Sequence, residues 1–139
     1  MLKNLFLLFL SIQIVFANSI ILNLKDFSNH KVVLKNGVFN GNHLYIKVLK
    51  KIELKKYKIL LLFINYGGSG NFREIAVLKR GNDGNFSHIQ QEFIGDRVKV
   101  TKIKLKKLKI IIDYLDRGLT ESFVIKPHIK KRVEFKIKE

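Results

Sequence analysis

ILLLFINYGGSGNFREIAVLKR, residues 59–80, decides how this chain folds. Its first part, residues 59–66, is the most continuous apolar run beyond the N-terminal leader. That run is well short of the roughly 20 residues a membrane-spanning helix needs. A short apolar run closed by glycines reads as a central strand covered on both faces. Gly67, Gly68, Ser69 and Gly70 end it in a turn. Residues 72–80 then alternate, with Phe72, Glu74, Ala76 and Leu78 opposed to Arg73, Ile75, Val77 and Lys79. Neither side is cleanly apolar, so this second strand is expected to bury only part of each face.

The same period of two extends in both directions. Upstream, residues 19–25 put Ile20, Leu22 and Leu24 on one face. Residues 31–34, Asn36-Gly37, Val38-Phe39 and Asn40-Gly41 read as short strands separated by Asn-Gly turns. Residues 43–49 alternate through Leu44, Ile46 and Val48, while residues 50–58 suit either a strand or one helical turn. Downstream, Gly81-Asn82-Asp83-Gly84 is a turn, and residues 88–94 form a strand closed by Gly95. Between residues 97 and 105 the alternation slips: Val98 and Val100 have one parity, Ile103 and Leu105 the other. One extra residue near Thr101-Lys102, a β-bulge, restores the pattern and keeps the lysines in water. Residues 106–108 make a tight turn of poor turn chemistry, and residues 109–115 return as a strand. Residues 116–120 form a loop, and Pro127 limits where the chain can pair next. Residues 129–137 close the series, with Lys131, Val133, Phe135 and Ile137 on one face. No window shows a helical period. The expected fold is all-β: one antiparallel sandwich or barrel-like domain of about eight or nine strands over residues 18–139.

Residues 1–17 (MLKNLFLLFLSIQIVFA) read as a cleaved signal peptide. Lys3 supplies the basic start, an apolar run follows, and Val15 and Ala17 suit the −3 and −1 positions of a cleavage site. The expected destination is outside the cytoplasm, periplasmic or secreted, with no membrane span in the mature chain. The chain has no cysteine. It therefore lacks both a lipid-modified cysteine and a disulfide, and packing and strand pairing must hold it.

Lys and Arg number 27 against 11 Asp and Glu, a formal net charge of +16. Such a surface attracts polyanions at low salt. Export argues against nucleic acid inside the cell, and no helix-turn-helix, zinc-finger or RNP pattern is present. A plainer reading competes. Lys greatly outnumbers Arg, Ile and Asn are frequent, and Ala occurs only at Ala17 and Ala76, as a genome-wide codon bias would produce. Outward lysines also discourage pairing between exposed strand edges. The densest basic segment is Lys102, Lys104, Lys106, Lys107 and Lys109. These are the candidate binding residues, for an anionic envelope component or an envelope protein.

Three segments carry a resemblance: Gly67-Gly68-Ser69-Gly70-Asn71-Phe72, then Phe93-Ile94-Gly95-Asp96-Arg97-Val98, then Ile110-Ile111-Ile112-Asp113-Tyr114-Leu115 with Pro127 beyond. Residues 33–39 (VLKNGVF) fit the same arrangement. Over about residues 31–138 the chain resembles an uncharacterised group of small secreted or lipid-anchored bacterial envelope proteins. They share a GGSG-x-F turn and a GDRV element before a hairpin. The resemblance implies no biochemical activity. Members often carry an acidic, calcium-suited loop before the buried strand, but residues 53–58 (ELKKYK) place three lysines there, which cannot ligate a hard cation. A Cys-Cys-Pro segment is reduced to Pro127 after Val124-Ile125-Lys126.

The remaining constellations favour structure over chemistry. Residues 67–70 lack the following helix and Lys-Ser/Thr of a phosphate-binding loop. Ser69 lacks the spacing of a nucleophile elbow. His30, His43, His88 and His128 are scattered, so no metal site is expected, nor any cofactor or catalytic residue. Gly95 closes a strand, Asp96 is expected to cap turn amides, and Arg97 to pair with another acid, fixing the loop. Asp113 with Asp116 or Glu121 reads as solvated acids at a hairpin end, and Tyr66, Phe72, Phe86 and Phe93 as core. The expected function is a non-catalytic binding module with a basic surface. The alternative is an envelope hydrolase with a site near residues 67–72 and Asp96, and a third option is a structural assembly partner.

Overall fold

Alternating side chains draw the chain into ten strands in a computed structural model that describes residues 19–24 and 30–139. They are β1 (Ser19–Leu24), β2 (His30–Lys35), β3 (Val38–Asn40), β4 (Tyr45–Glu53), β5 (Tyr57–Asn65), β6 (Phe72–Arg80), β7 (Phe86–Asp96), β8 (Lys99–Lys106), β9 (Lys109–Asp116) and β10 (Ile129–Lys136). There is no helix among the described residues, and the signal peptide expected over residues 1–17 lies outside them. The ambiguous residues 50–58 resolve into the end of β4, a turn and the start of β5.

β1 to β7 form one antiparallel sheet in sequence order, curled until it is nearly a barrel. β8, β9 and β10 form a second, three-stranded sheet with β9 in the middle. Between the two lies the run that opened the reading. Leu60, Leu62 and Ile64 of β5 join Leu22, Val32, Leu34 and Ile46 in the core enclosed by the curled sheet. Tyr57, Ile59 and Leu61 point the other way and meet Ile110 and Ile112 of the second sheet. A strand that walls two cores must be apolar at consecutive positions. β6 is the same at its centre. Glu74 through Leu78 are all buried, Ala76 and Leu78 in the first core and Ile75 and Val77 in the second. Only the ends of β6 emerge, at Arg73 and beyond Leu78.

The bulge read from the lysine pattern is present. The β8–β9 register passes from Val100 opposite Tyr114 to Lys102 opposite Asp113, leaving Thr101 unpaired. The Thr101 hydroxyl donates to the Asp113 carbonyl at 3.0 Å, which secures the extra residue. The turn at Lys107-Leu108 forms with Lys107 at φ 57°, a left-handed conformation that costs a side-chain-bearing residue roughly 1–2 kcal/mol. Asn36-Gly37 makes the corresponding β2–β3 turn with both residues at positive φ, as a two-residue hairpin favours.

Candidate basic face and its surroundings

In β8 the bulge puts Val100, Ile103 and Leu105 on the second core, so Lys102, Lys104 and Lys106 face outward. Register then aligns these lysines with β9 and β10. Lys102, Asp113 and Arg132 form one row across the sheet, and Lys104, Ile111 and Glu134 the next. The last row is Lys106, Lys109 and Lys136, three lysines side by side. Neighbouring cations on such a face stand roughly 5 Å apart across strands and roughly 7 Å apart along them.

Thus Lys102, Lys104, Lys106 and Lys109 share one face, with Lys107 at its corner in the β8–β9 turn. Arg132 and Lys136 complete it. They are some thirty positions further along the chain, and the signal for them was the outward parity of residues 132, 134 and 136 against Val133 and Phe135. Two acids interrupt the face. Arg132 holds Asp113 through Nε to Oδ1 at 2.6 Å and Nη2 to Oδ2 at 3.2 Å. That bond, helped by the charges of Arg132, Lys102 and Lys104, keeps the Asp113 carboxyl below its ordinary range. Lys109 lies 3.3 Å from Glu134. No carboxylate pairs with Lys102, Lys104, Lys106 or Lys136 among the described residues.

The glycine-rich turn and the Gly95-Asp96-Arg97 element meet at another corner. The Asn65 side chain accepts from the Gly67 amide at 2.8 Å and donates to the carbonyls of Gly68 (3.2 Å) and Gly70 (3.0 Å). Gly67 has φ 90°, and a Cβ there would stand 3.0 Å from the His43 carbonyl oxygen. Asp96 Oδ1 accepts from the Asn71 amide at 2.9 Å, as a capping carboxylate should. Arg97, expected to pair with another acid, instead pairs with Asp96 itself, Nη1 to Oδ2 at 2.9 Å, and donates through Nη2 to the Ser69 carbonyl. Its left-handed backbone, φ 52°, turns the two side chains back onto one turn. Arg117 donates from Nη1 to the Arg97 carbonyl at 2.8 Å, tying in the loop after β9.

The aromatics divide differently from expectation. Tyr66 and Phe86 pack on the first core, but Phe93 is 55% exposed and only flanks Phe72, ring centroids 5.6 Å apart. β7 carries two register shifts against β6, skipping Ile89 and Ile94. Each sends an isoleucine to the second core, while Phe93 stands opposite Glu74 on the face that carries Ala76 and Leu78, beyond the packed core and exposed.

A polar chain crosses the inside of the curled sheet. Buried Glu74 accepts from the Tyr66 hydroxyl and from Gln91 Nε2 at 3.0 Å. Gln91 Oε1 meets His88 Nε2 at 2.9 Å, and His88 Nδ1 accepts from the Asn23 amide at 2.8 Å. Nδ1 must be unprotonated to accept, so the ring is neutral with its proton on Nε2. The chain satisfies a buried carboxylate and bridges β7 to β1, where the sheet almost closes.

A groove of about 700 Å³ runs along β10, lined among others by Glu92, Leu108, Glu134, Lys136 and Glu139. It includes neither residues 67–72 nor Asp96. Compared with family models, with curated proteins and with solved structures, the chain finds no match.

Proposed function

We propose that this chain is a non-catalytic binding module of the cell envelope, and that the outer face of the β8–β10 sheet is its contact for an anionic envelope component. The row Lys106–Lys109–Lys136 carries the reading. Like charges directly opposite one another weaken a sheet, and protection of exposed edges does not explain a lysine on the central strand β9. Glu134 meets only Lys109 of the three, and a repeating anion would relieve the repulsion that remains. Export through the leader of residues 1–17, to the periplasm or beyond, belongs to the same reading. The hydrolase alternative gains no support from geometry, since Asp96 and Arg97 are both committed to holding the glycine turn.

Co-sedimentation of the protein with an envelope fraction across a salt series tests the proposal. Binding that falls steeply as salt rises supports it. Salt-resistant binding points instead to a specific protein partner, and no binding at low salt removes the face from consideration.

A further inference from the structure

The loop joining β9 to β10 presents its apolar residues to solvent. Leu119 and Val124 are essentially fully exposed, at 105% and 92%, and Phe123 and Ile125 are 58% and 44% exposed. Exposed apolar side chains scattered singly need no explanation, but a concentration on one loop marks an interaction site.

The loop is nevertheless held in shape from within. The Gly118 amide donates to Glu121 Oε1 at 2.6 Å, and the Glu121 amide returns to the Gly118 carbonyl at 3.0 Å. The Ile125 amide reaches the Ser122 carbonyl at 3.1 Å, Arg117 Nε donates to the Ile125 carbonyl, and the His128 amide donates to the Asp116 carbonyl at 2.9 Å. An ordered scaffold therefore pushes the apolar side chains outward.

Cations stand at its base. The guanidinium of Arg97 lies 4.1 Å from the Phe123 ring centroid and that of Arg117 5.7 Å, on an aromatic face that favours them. Lys126, next along the chain from the Ile125 carbonyl that Arg117 holds, is exposed. Glu121, the acid within the loop, is engaged by the Gly118 amide and by His128 at 2.7 Å. The loop also leaves the end of the basic sheet at which Lys99, Leu115 and Lys130 form the outermost row. An apolar tip collared by cations matches the cross-section of a membrane interface, where acyl chains lie beneath phosphates.

We propose that residues 119–125 insert into the interfacial layer of an anionic lipid bilayer while Arg117 and Lys126 meet its phosphates, with Arg97 holding the Phe123 ring from the glycine turn. This goes beyond the polyanion reading above: the loop leaves the sheet at the end opposite the Lys106–Lys109–Lys136 row, so it is a separate contact.

The chain has no tryptophan, so Val124→Trp places a single reporter at the tip. With vesicles of equal parts phosphatidylcholine and phosphatidylglycerol, the tryptophan emission should shift to shorter wavelength and be quenched by lipids brominated on the acyl chain. Leu119→Ser combined with Val124→Ser should lower vesicle affinity at least about tenfold, from the apolar area no longer removed from water. Both side chains are already in solvent, so the circular dichroism spectrum should not change. Vesicle binding with unshifted emission overturns the insertion and leaves the electrostatic reading standing. Binding to soluble dextran sulfate but not to vesicles does the same. Binding to neither overturns both.

Discussion

The backbone amide of Asn23 donates to Nδ1 of His88 at 2.8 Å, joining residues 65 positions apart. Neighbouring ladders hold the sheet strand by strand, whereas this bond spans the gap where β1 and β7 approach without pairing. His88→Leu keeps an apolar volume there but removes the partner of the exposed Asn23 amide and of the Gln91 side-chain oxygen. It should destabilise the protein by about 0.5–1.5 kcal/mol, read as a lowered urea midpoint. An unchanged midpoint would mean that water replaces the imidazole at no cost.

Lys106→Gln together with Lys136→Gln should separate binding from stability. The pair removes charge from the three-lysine row but leaves the Lys109–Glu134 contact in place. Stability should stay within about 0.5 kcal/mol of the parent, while binding to the envelope fraction weakens and its dependence on salt becomes shallower. A salt dependence equal to the parent's would exclude this row from the contact.

Acid should weaken the three-stranded sheet and the loop that joins β9 to β10. Arg132, with the charges of Lys102 and Lys104, holds the Asp113 carboxyl low, and the Gly118 amide and His128 do so for Glu121. Burial pushes the Asp116 carboxyl up, but the hydrogen bonds of Lys131 and the Arg117 amide outweigh it and bring it below its ordinary value. The folded state thus binds protons more weakly than the unfolded one. The stabilisation is complete above the ordinary values of 3.8 for Asp and 4.5 for Glu, and is lost as pH falls through the depressed folded values. A melting temperature that drops below about pH 4, and drops less in Asp113→Asn, would agree. A flat profile through that range would not.

Asp96 offers a comparison between two substitutions. Asp96→Ala strands the Asn71 amide and removes the partner of Arg97, and should cost about 1–3 kcal/mol. Asp96→Asn keeps an acceptor for the amide and should cost less, as thermal melts of the two variants would show. Equal costs would mean that the Arg97 pair, not the cap, holds the turn.

Local patterns were legible in the sequence where one strand's parity sufficed. The run of β5, the alternation of β6 and the slip at Thr101 needed no knowledge of neighbours, because burial of each side chain was already encoded by its own position. Arg132 and Lys136 joined the lysines of β8 only through the β9–β10 register, which residues 117–128 set at a distance. Phe93 shares a face with Ala76 and Leu78 but stands beyond the packed core, and a strand's own parity does not show where the core ends. Bulges read easily when lysines would otherwise be buried, as in β8, and poorly where isoleucine and glutamine are tolerated on either side. The Tyr66–Glu74–Gln91–His88 chain drew no attention because each member is unremarkable until the curling of the sheet brings them together.

Every ladder in both sheets joins strands that follow one another along the chain. For an all-β protein this keeps most partners close in sequence, which shortens the search that slows long-range strand pairing. Hairpins can add one at a time in the order the chain presents them. The approach of β1 to β7 must wait for every intervening strand, as the docking of the β8–β10 sheet on β5 and β6 must wait for its hairpins. A kinetic intermediate, if one accumulates, would be an open ribbon with the Asn23 amide still unprotected against hydrogen exchange.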